Sequence, residues 1–507
     1  MKVVPSRWNR SRPLRQSHAR MRPDRRSRFV WPWLVLVAAA CNAPHVCGPA
    51  CETQRPEMAA AQEHEHEHAA GAAGAAAVAA EHAPQDGETA QPITSAEAVA
   101  AFDEAWQTIH DTHFDTSFNG VDWDALREEL RPRAEKAQTR EEVREVIGEM
   151  LGRLGQSHFA VFPGESLPDG GGPGAENHSA GLGFDVRLRE GKLLVTKIEP
   201  KSAAEEAGVH TGWIVRRVGS FDVEDAWKKM AEAGDALGER RAAFHLWNAT
   251  RAQVMGTQGT HEKVAFVDGD DHERELDLER RPRAVTVHEV GPTLPKFYLE
   301  FEQSLHERDG KRIGLIRFSN WFLPVMRPLD EAVDAMRGLD GIVIDLRGNT
   351  GGAAAMTMGV AGHFFAESTR LGVMTTRDTT LNILAIPRLT NPSGQSVEPY
   401  AGPLALLVDE TTGSASEVFA GGLQSVGRAR VFGETTAGAV LPAMTTRLSN
   451  GDALLHAMGD FETASGTRLE GSGVVPDEPV PVRRADLLVG RDTQLEAALA
   501  WIASRTE

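Results

Sequence analysis

The sequence predicts a protein of the α/β class, with an N-terminal helical domain, a small β-barrel and a larger domain of alternating strands and helices. Amphipathic helical patterns follow Thr94, and short strand-like runs surround one small helix between 181 and 222. Beyond about residue 290, apolar strand-like runs alternate with helical ones, which is typical of a layered α/β domain. A chain of 507 residues is long enough for two or three such cores.

Residues 1–41 are predicted to be an export signal. The first 28 residues hold ten basic residues and one acid, and FVWPWLVLVAAAC is a short apolar run closed by small residues. The run is too short for a permanent membrane helix. Cys41 follows three alanines, which resembles the attachment box of bacterial lipoproteins, so a lipid anchor at Cys41 and a plain signal peptide both remain open. Arg25-Arg26 leaves twin-arginine export as a third alternative.

Residues 42–93 are predicted to be a disordered linker, because they contain almost no large apolar side chains. The histidines of EHEHEH at 63–68 offer a loose metal site, but a solvated linker is the preferred interpretation.

All three cysteines lie at or before Cys51, so the folded part is expected to have neither a disulfide nor a thiol nucleophile. A net charge of −18, in spite of the basic leader, disfavours nucleic acid as a partner.

Beyond the linker the sequence divides into four predicted parts: a helical domain over 94–178, a partly open β-barrel over 179–281, an α/β domain over 282–490 and a C-terminal helix over 491–507. Thr139 and Glu142 form a predicted capping box at the start of the third helix. The glycine-rich DGGGPGAEN at 169–177 marks the first boundary. Asn450-Gly451 between two strand-like runs predicts a hairpin.

Ser414 lies where the apolar strand LALLVDE gives way to the helical pattern SEVFAGGLQ. The first amides of a helix have no partner inside the helix, so they point at whatever such a serine attacks. These amides provide an oxyanion pocket, which makes Ser414 a candidate nucleophile. The alternative is a serine that only caps the helix.

A second glycine stretch, IDLRGNTGG at 344–352, follows another buried strand. Glycines at this position let the backbone approach a ligand closely, and their amides are candidates for the other oxyanion donor. A tight turn between strand and helix is the alternative interpretation.

Three blocks, VIDLRGNTGG, TTGSASEVFAGGLQSVGRARVFGETTAG and GSGVVPD, occur in an order and spacing that resemble the C-terminal-processing and tricorn-core serine protease family. The resemblance covers most of the chain from about 94 to 483. It implies a helical N-terminal part, a PDZ domain over 179–281, and a serine protease core of ClpP/crotonase-like fold over 282–490.

The same resemblance implies roles for individual residues. Ser414 is the expected nucleophile, and the amides of Ala415 and of Gly351 or Gly352 are the expected oxyanion donors. The processing-protease branch places a catalytic lysine about 25 residues after the serine, but this sequence has Ala439 there and no lysine after Lys311. Because a serine hydroxyl needs a base to become a nucleophile, another group is expected to take the proton.

A histidine is the natural replacement, since its ordinary pKa lies near neutrality. The block MLGRLGQSHF at 150–159 resembles the tricorn branch, whose Ser-His pair supplies the catalytic histidine, and this implies that His158 is the base. By the same resemblance Glu470 orients His158 through Ser157, as the third member of a hydrolase triad does. Glu417 is a competing carboxylate, although its place near a helix start also suits the helix dipole.

Residues Gly181, Leu182, Gly183 and Phe184 resemble the carboxylate-binding loop of a PDZ domain, and SAAEEAGVHTGWIVRRVGS fits the rest of that pattern with Trp213 in place of the usual Asp. Such a loop captures a peptide C-terminus through exposed amides while the next strand pairs with the peptide. Gating or a purely structural role are the alternatives.

The sequence therefore predicts an exported serine endopeptidase that acts on unfolded or C-terminally exposed polypeptides and needs no metal or organic cofactor. The alternatives are a non-catalytic ligand- or peptide-binding protein on the same fold, and a PDZ scaffold with a vestigial protease domain. Either alternative leaves the fold unchanged. The oligomeric state and the natural substrate stay open at this stage.

Overall fold

The computed structural model describes residues 91–164, 180–232, 238–289 and 296–505. The predictions for the export signal, Cys41, the linker and the glycine-rich boundary at 169–177 lie outside the described residues. In the described part, every helix is too short or too polar to cross a lipid bilayer.

The helices and strands are numbered here in chain order. The α-helices are α1 (Ser95–Thr112), α2 (Trp123–Lys136), α3 (Arg140–Gly152), α4 (Ala203–Glu206), α5 (Val223–Glu232), α6 (Gly238–Val254), α7 (Leu323–Met336), α8 (Ala355–Ala361), α9 (Ala415–Ser425), α10 (Arg484–Leu488) and α11 (Thr493–Ala503). The strands are β1 (Ala160–Phe162), β2 (Ala180–Gly181), β3 (Phe184–Arg189), β4 (Lys192–Ile198), β5 (Ile214–Val218), β6 (Phe221–Asp222), β7 (Met255–Gly256), β8 (His261–Val267), β9 (Glu273–Glu279), β10 (Arg281–Pro282), β11 (Thr286–Glu289), β12 (Lys296–Leu299), β13 (Phe301–Arg308), β14 (Lys311–Phe318), β15 (Gly341–Asp345), β16 (Thr369–Thr376), β17 (Thr380–Ala385), β18 (Leu404–Val408), β19 (Arg430–Gly433), β20 (Ala443–Arg447), β21 (Ala453–Ala457), β22 (Gly459–Thr463) and β23 (Glu478–Pro479).

The largest core is built around a six-stranded sheet in the order β13-β14-β15-β18-β19-β23. Within this sheet, β14, β15, β18, β19 and β23 run parallel to one another, and β13 is antiparallel to β14. Every residue of β15 and β18 is buried, as expected for parallel strands with both faces covered. Helices α7, α8 and α9 cover one face and α11 covers the other. The predicted mixed α/β architecture is confirmed here.

The N-terminal helices α1, α2 and α3 share one hydrophobic core with a distant hairpin. Leu441, Leu448, Leu454 and Ala457 pack into the same cluster as the helices. The hairpin is β20–β21, and it turns through the predicted Asn450-Gly451, with Gly451 at a φ of +92°. Because β1 pairs antiparallel with β21, the segment that ends the helical region is fixed against the α/β core.

Residues 180–232 and 238–282, called the middle segment below, form two antiparallel sheets. One has the order β3-β4-β5-β8-β9 with β6 on β5, and the other is β10-β2-β7. Helix α6 belongs to this segment and packs into its hydrophobic core through Leu246 and Trp247, which are almost fully buried. Strand β3 lies at an edge of its sheet, and the expectation of a PDZ barrel stays a prediction.

Buried ion pairs join the middle segment to the α/β core. Arg187 on β3 donates from Nε to Asp409 at 2.6 Å, and both side chains are buried. Asp409 also accepts from Thr411 N at 3.0 Å and from Thr411 Oγ1 at 2.7 Å. Arg189 on the same strand donates to Glu410 at 2.6 Å. The edge strand β3 therefore holds the loop that leads from β18 to Ser414.

Replacing Arg187 by methionine is expected to lower the free energy of unfolding by about 3–5 kcal/mol, because Asp409 is then left as an unpaired buried charge. Urea denaturation of the full chain measures this. Adding Asp409→Asn is expected to restore part of the loss, and Arg216→Met, which breaks an exposed pair with Glu224, is expected to cost under about 1 kcal/mol. Equal costs for the two single variants would contradict this account.

Candidate active site

Ser414 stands at a sharp turn between β18 and α9. Its backbone has φ +52° and ψ −120°, a conformation that L-residues adopt only under strain, whereas a helix-capping residue is normally extended. A strained serine on a strand-to-helix turn is the arrangement of a nucleophile elbow, which exposes the hydroxyl. The geometry therefore favours the nucleophile over the simple cap.

The predicted oxyanion donors surround this serine. A Cβ on Gly351 would lie 2.6 Å from the Cβ of Ser414, so only a glycine allows the two loops to approach this closely. The Gly351 amide donates to Asn349 Oδ1 at 3.0 Å. Among the described residues, the amides of Gly352 and Ala415 donate to no protein acceptor. Because the Gly351 amide is already hydrogen-bonded, the amides of Gly352 and Ala415 remain the candidate oxyanion donors.

The two glycine-containing loops are tied together beneath the serine. Ser416 Oγ donates to the Asn349 carbonyl at 3.0 Å and accepts from Trp321 Nε1 at 2.8 Å. Gly413 N donates to the same carbonyl at 3.1 Å. This fully buried network fixes the spacing of the loops, so the candidate oxyanion pocket is formed before a substrate arrives.

Glu417 anchors the nucleophile turn to the loop where the processing proteases carry a lysine. Its carboxylate is fully buried and accepts from Ser414 N (3.0 Å), Thr436 Oγ1 (2.5 Å), Gly438 N (2.8 Å) and Ala439 N (3.0 Å). Burial raises the pKa of Glu417 to about 7, and these four donors oppose the rise. The sequence offered Glu417 as a competing carboxylate or as a partner of the helix dipole, and neither interpretation included this anchoring contact.

Ala439 occupies the place implied for the missing lysine. Its carbonyl accepts from Ser414 N at 2.8 Å, so residue 439 lies directly beside the nucleophile. The next residue, Val440, donates its amide to Glu470 Oε2 at 3.1 Å. The Ser414 contact and the Glu470 contact therefore come from the two sides of one peptide group, which places the second carboxylate close to the elbow.

Ser157, His158 and Glu470 form the hydrogen-bonded chain that the resemblance implied. Ser157 donates to Glu470 twice, from N to Oε1 at 2.7 Å and from Oγ to Oε2 at 2.9 Å. His158 Nδ1 lies 2.8 Å from Ser157 Oγ. The pairing of β1 with β21 explains how these residues meet across more than 300 positions, because Ser157 and His158 directly precede β1.

The direction of these hydrogen bonds fixes the tautomer of His158. Ser157 has one hydroxyl proton, and the carboxylate of Glu470 can only accept, so that proton points at Glu470. His158 Nδ1 must then carry a proton and donate it to Ser157 Oγ. The other ring nitrogen, Nε2, is left with a lone pair, which is the form a general base requires.

His158 itself is held in an unusual state. Its φ is +61°, a left-handed backbone conformation. Burial, with a smaller contribution from the nearby charge of Arg241, lowers the pKa of His158 to about 4. The ring is half-buried by surface area, and neutral at physiological pH. Within the described residues no hydrogen bond joins the His158 ring to the Ser414 hydroxyl.

Helix α6 brings two arginines to this site that the sequence gave no reason to select. Arg240 donates to the carbonyls of Ser472 (2.7 Å) and Gly471 (2.5 Å), next to Glu470. Arg241 donates to the Gln156 carbonyl at 3.0 Å, one residue before Ser157. Neighbouring arginines on an amphipathic helix normally face water, and only the tertiary packing of α6 gives them this role.

The predicted peptide-binding loop lies on the middle segment. Gly181, Leu182, Gly183 and Phe184 are all buried, and Gly183 has a φ of +93°. The amide of Leu182 already donates to the Val254 carbonyl at 3.2 Å. Capture of a carboxylate by this loop would therefore depend on the amides of Gly183 and Phe184.

Comparison with known proteins agrees with this geometry. Residues 312–480 match the family model Peptidase family S41, and residues 94–152 match the Tricorn protease C1 domain. An α/β core that sets a serine on such an elbow defines a serine-type hydrolase, and this one is a peptidase. The resemblance to the C-terminal-processing and tricorn-core serine protease family, which the sequence blocks predicted, is confirmed.

Individual relatives cover most of the chain. Carboxyl-terminal-processing peptidase 2, chloroplastic, of Arabidopsis thaliana is 26% identical over 392 residues, which are 75% of this chain and 68% of the relative. Tricorn protease homolog 1 of Streptomyces coelicolor is 23% identical over 427 residues, 83% of this chain but 36% of that protein. The solved photosystem II D1 C-terminal processing protease shares the fold at a TM-score of 0.51 and 22% identity, covering 80% of this chain and 97% of that one.

Glu417→Gln is expected to lower the free energy of unfolding by about 2 kcal/mol or more, because the amide group of glutamine faces donors that then lack an acceptor. Reactivity of Ser414 toward a fluorophosphonate is expected to fall with it, since the elbow loses its anchor. The matched control is Glu462→Gln on β22, where the carboxylate is exposed. A Glu417→Gln protein as stable and as reactive as the wild type would show that the four contacts are dispensable.

Proposed function

We propose that this protein is an exported serine endopeptidase that cleaves unfolded or C-terminally exposed polypeptides through an acyl-enzyme at Ser414. The observation that carries the proposal is the hydrogen-bonded chain from Glu470 through Ser157 to His158, together with the strained serine elbow at Ser414. This chain of hydrogen bonds would supply a base, His158, in a sequence that lacks the lysine of the processing proteases. Export rests on the sequence of residues 1–41.

In this mechanism His158 Nε2 takes the proton of Ser414 as its oxygen attacks the scissile carbonyl. The developing oxyanion is bound by the amides of Ala415 and Gly352. The imidazolium that forms keeps its Nδ1 hydrogen bond to Ser157, and the negative charge of Glu470 stabilises it through that hydroxyl. His158 then returns the proton to the leaving amine, and water repeats the sequence to release the acyl group.

Fluorophosphonate labelling tests the assignment of nucleophile and base. Wild-type protein is expected to be labelled, while Ser414→Ala and His158→Ala are expected to lose labelling, because the first removes the attacking oxygen and the second its base. Ser425→Ala, on the last turn of α9, is the matched control and is expected to label normally. Labelling of Ser414→Ala at the wild-type rate would refute the nucleophile and leave a binding protein as the better description.

Glu470→Ala is expected to reduce the labelling rate by about 10²- to 10⁴-fold without abolishing it, since the attacking pair remains while the orienting carboxylate is lost. Ser157→Ala is expected to have a similar effect, and combining the two changes is expected to add little, because both act through one chain. Fully additive losses in the double variant would argue against a relay.

The pH dependence of labelling is expected to show an acid limb below pH 6, since the lowered pKa of His158 keeps the ring neutral down to about pH 4. Arg241→Gln is expected to move that limb upward toward the ordinary histidine pKa of about 6.5, because a nearby positive charge is removed. An acid limb at pH 6.5 in the wild type, unchanged by Arg241→Gln, would contradict the assignment.

Folding stability is expected to decrease at acid pH because of the protonation of His158. The unfolded chain binds a proton at His158 near pH 6.5, and the folded chain does so only near pH 4. The free energy of unfolding therefore has its full value above pH 6.5 and decreases as the pH falls from about 6.5 to about 4.

A further inference from the structure

The turn that carries the proposed base has a strained backbone. Gly155 and His158 both have a positive φ, +60° and +61°, and for histidine this left-handed conformation costs free energy. Such strain persists only where the surrounding structure holds the chain in place. Contacts from other parts of the molecule must therefore fix residues 155–159, called the base turn below.

His113, at the C-terminal end of α1, contacts the base turn on both sides of the Ser157–His158 pair. Its Nε2 lies 2.9 Å from Oε1 of Gln156, the residue before the pair. Its ring stacks on Phe159, the residue after the pair, with the ring centroids 5.5 Å apart and the planes 13° from parallel. Gln156 and Phe159 are both buried. The imidazole of a residue far earlier in the chain thus contacts both flanks of the proposed base.

The His113 ring is itself held in place. The side chain is fully buried, and its Nδ1 lies 2.8 Å from the carbonyl oxygen of Asp115 and 3.1 Å from the amide nitrogen of the same residue. The Asp115 carboxylate fixes the chain that follows, since it accepts from the amides of Ser117 at 2.8 Å and Asn119 at 2.9 Å. Because both ring nitrogens and one ring face have close neighbours, the ring couples the end of α1 to the base turn.

Two further anchors of the base turn come from other parts of the chain. Glu470 accepts from the amide and the hydroxyl of Ser157, and Arg241 donates to the carbonyl of Gln156. His113 contacts different groups of the turn, namely the side chain of Gln156 and the ring of Phe159. It is therefore a third anchor, and it reaches both flanks of the Ser157–His158 pair.

We propose that His113 is a positioning residue for the peptidase reaction, because it holds the His158 ring in the orientation that proton transfer from Ser414 requires. It acts through Gln156 and Phe159 and does not touch the substrate. This role rests on the proposed function of His158 as the base. A shift of about 1 Å in a reacting group costs about 100-fold in rate, so the loss of one anchor is measurable.

Asparagine and glutamine at position 113 separate positioning from packing. The amide nitrogen of asparagine mimics Nδ1 of histidine, and that of glutamine mimics Nε2. His113→Asn is therefore expected to lose the contact with Gln156 and to lower the fluorophosphonate labelling rate of Ser414 by about 10-fold or more. His113→Gln keeps that contact and is expected to retain more of the rate. Both variants lose the stacked ring, so similar free energies of unfolding are expected for them.

His456 provides the matched control, because it is a second buried histidine beside the same end of α1. Its ring nitrogens lie 3.1 Å from Thr112 Oγ1 and 3.0 Å from Thr446 Oγ1, so it joins α1 to the β20–β21 hairpin. His456→Asn is expected to lower the free energy of unfolding and to leave the labelling rate of the folded protein unchanged. Equal losses of rate in His113→Asn and His456→Asn would overturn the proposal, since both would then report stability alone.

A nuclear magnetic resonance titration of the full chain carrying Ser414→Ala measures the state of His158 without any reaction at Ser414. Adding His113→Asn is expected to raise the pKa of His158 from about 4 toward the ordinary value of about 6.5, because a loosened turn exposes the ring to water. His113→Gln and His456→Asn are expected to leave this pKa closer to its starting value.

The charged groups beside the His158 ring and its relay are Arg241 and Glu470, and none of these variants changes them. A pKa of His158 that His113→Asn leaves unchanged would overturn the proposal. A wild-type protein that resists labelling would instead refute the peptidase function, and the titration would then still decide whether His113 holds His158 in place.

Discussion

One buried carboxylate, Glu470, joins three parts of the chain that are far apart in sequence. It accepts from both the amide and the hydroxyl of Ser157, and from the amide of Val440. A buried carboxylate is tolerated only when several donors satisfy it, so these contacts are mutually dependent. The helical region, the loop beside the nucleophile and the segment after β22 therefore meet at one point, and His158 is carried there with Ser157.

Glu417 likewise holds the loops around Ser414, the proposed nucleophile, together. It binds the amides of Gly438 and Ala439, and Glu470 binds the amide of the next residue. A short backbone stretch thus connects two buried carboxylates, one behind Ser414 and one behind His158. Processing proteases are expected to place a lysine side chain in this stretch, whereas here its backbone aligns the two halves of the site.

The sequence was sufficient to predict the α/β core and the position of Ser414, because buried strands, helix patterns and turn residues are local signals. It identified Ser157, His158 and Glu470 only through family resemblance, since the pairing of β1 with β21 that unites them is non-local. The anchoring role of Glu417 was missed because a glutamate early in a helix has a common explanation in the helix dipole.

The lowered pKa of His158 has two opposite effects on its role as a base. A ring that binds protons only near pH 4 is always neutral at physiological pH, but it also draws a proton from serine with less driving force. In the proposed mechanism, the hydrogen bonds from His158 Nδ1 to Ser157 and from Ser157 to Glu470 offset this smaller driving force. As the imidazolium forms, Ser157 already accepts from Nδ1 and donates to Glu470, so no hydrogen bond has to be reversed. In the proposed mechanism, the relay therefore stabilises the charged ring only when the charge appears, which lowers the barrier to attack while leaving the resting base neutral.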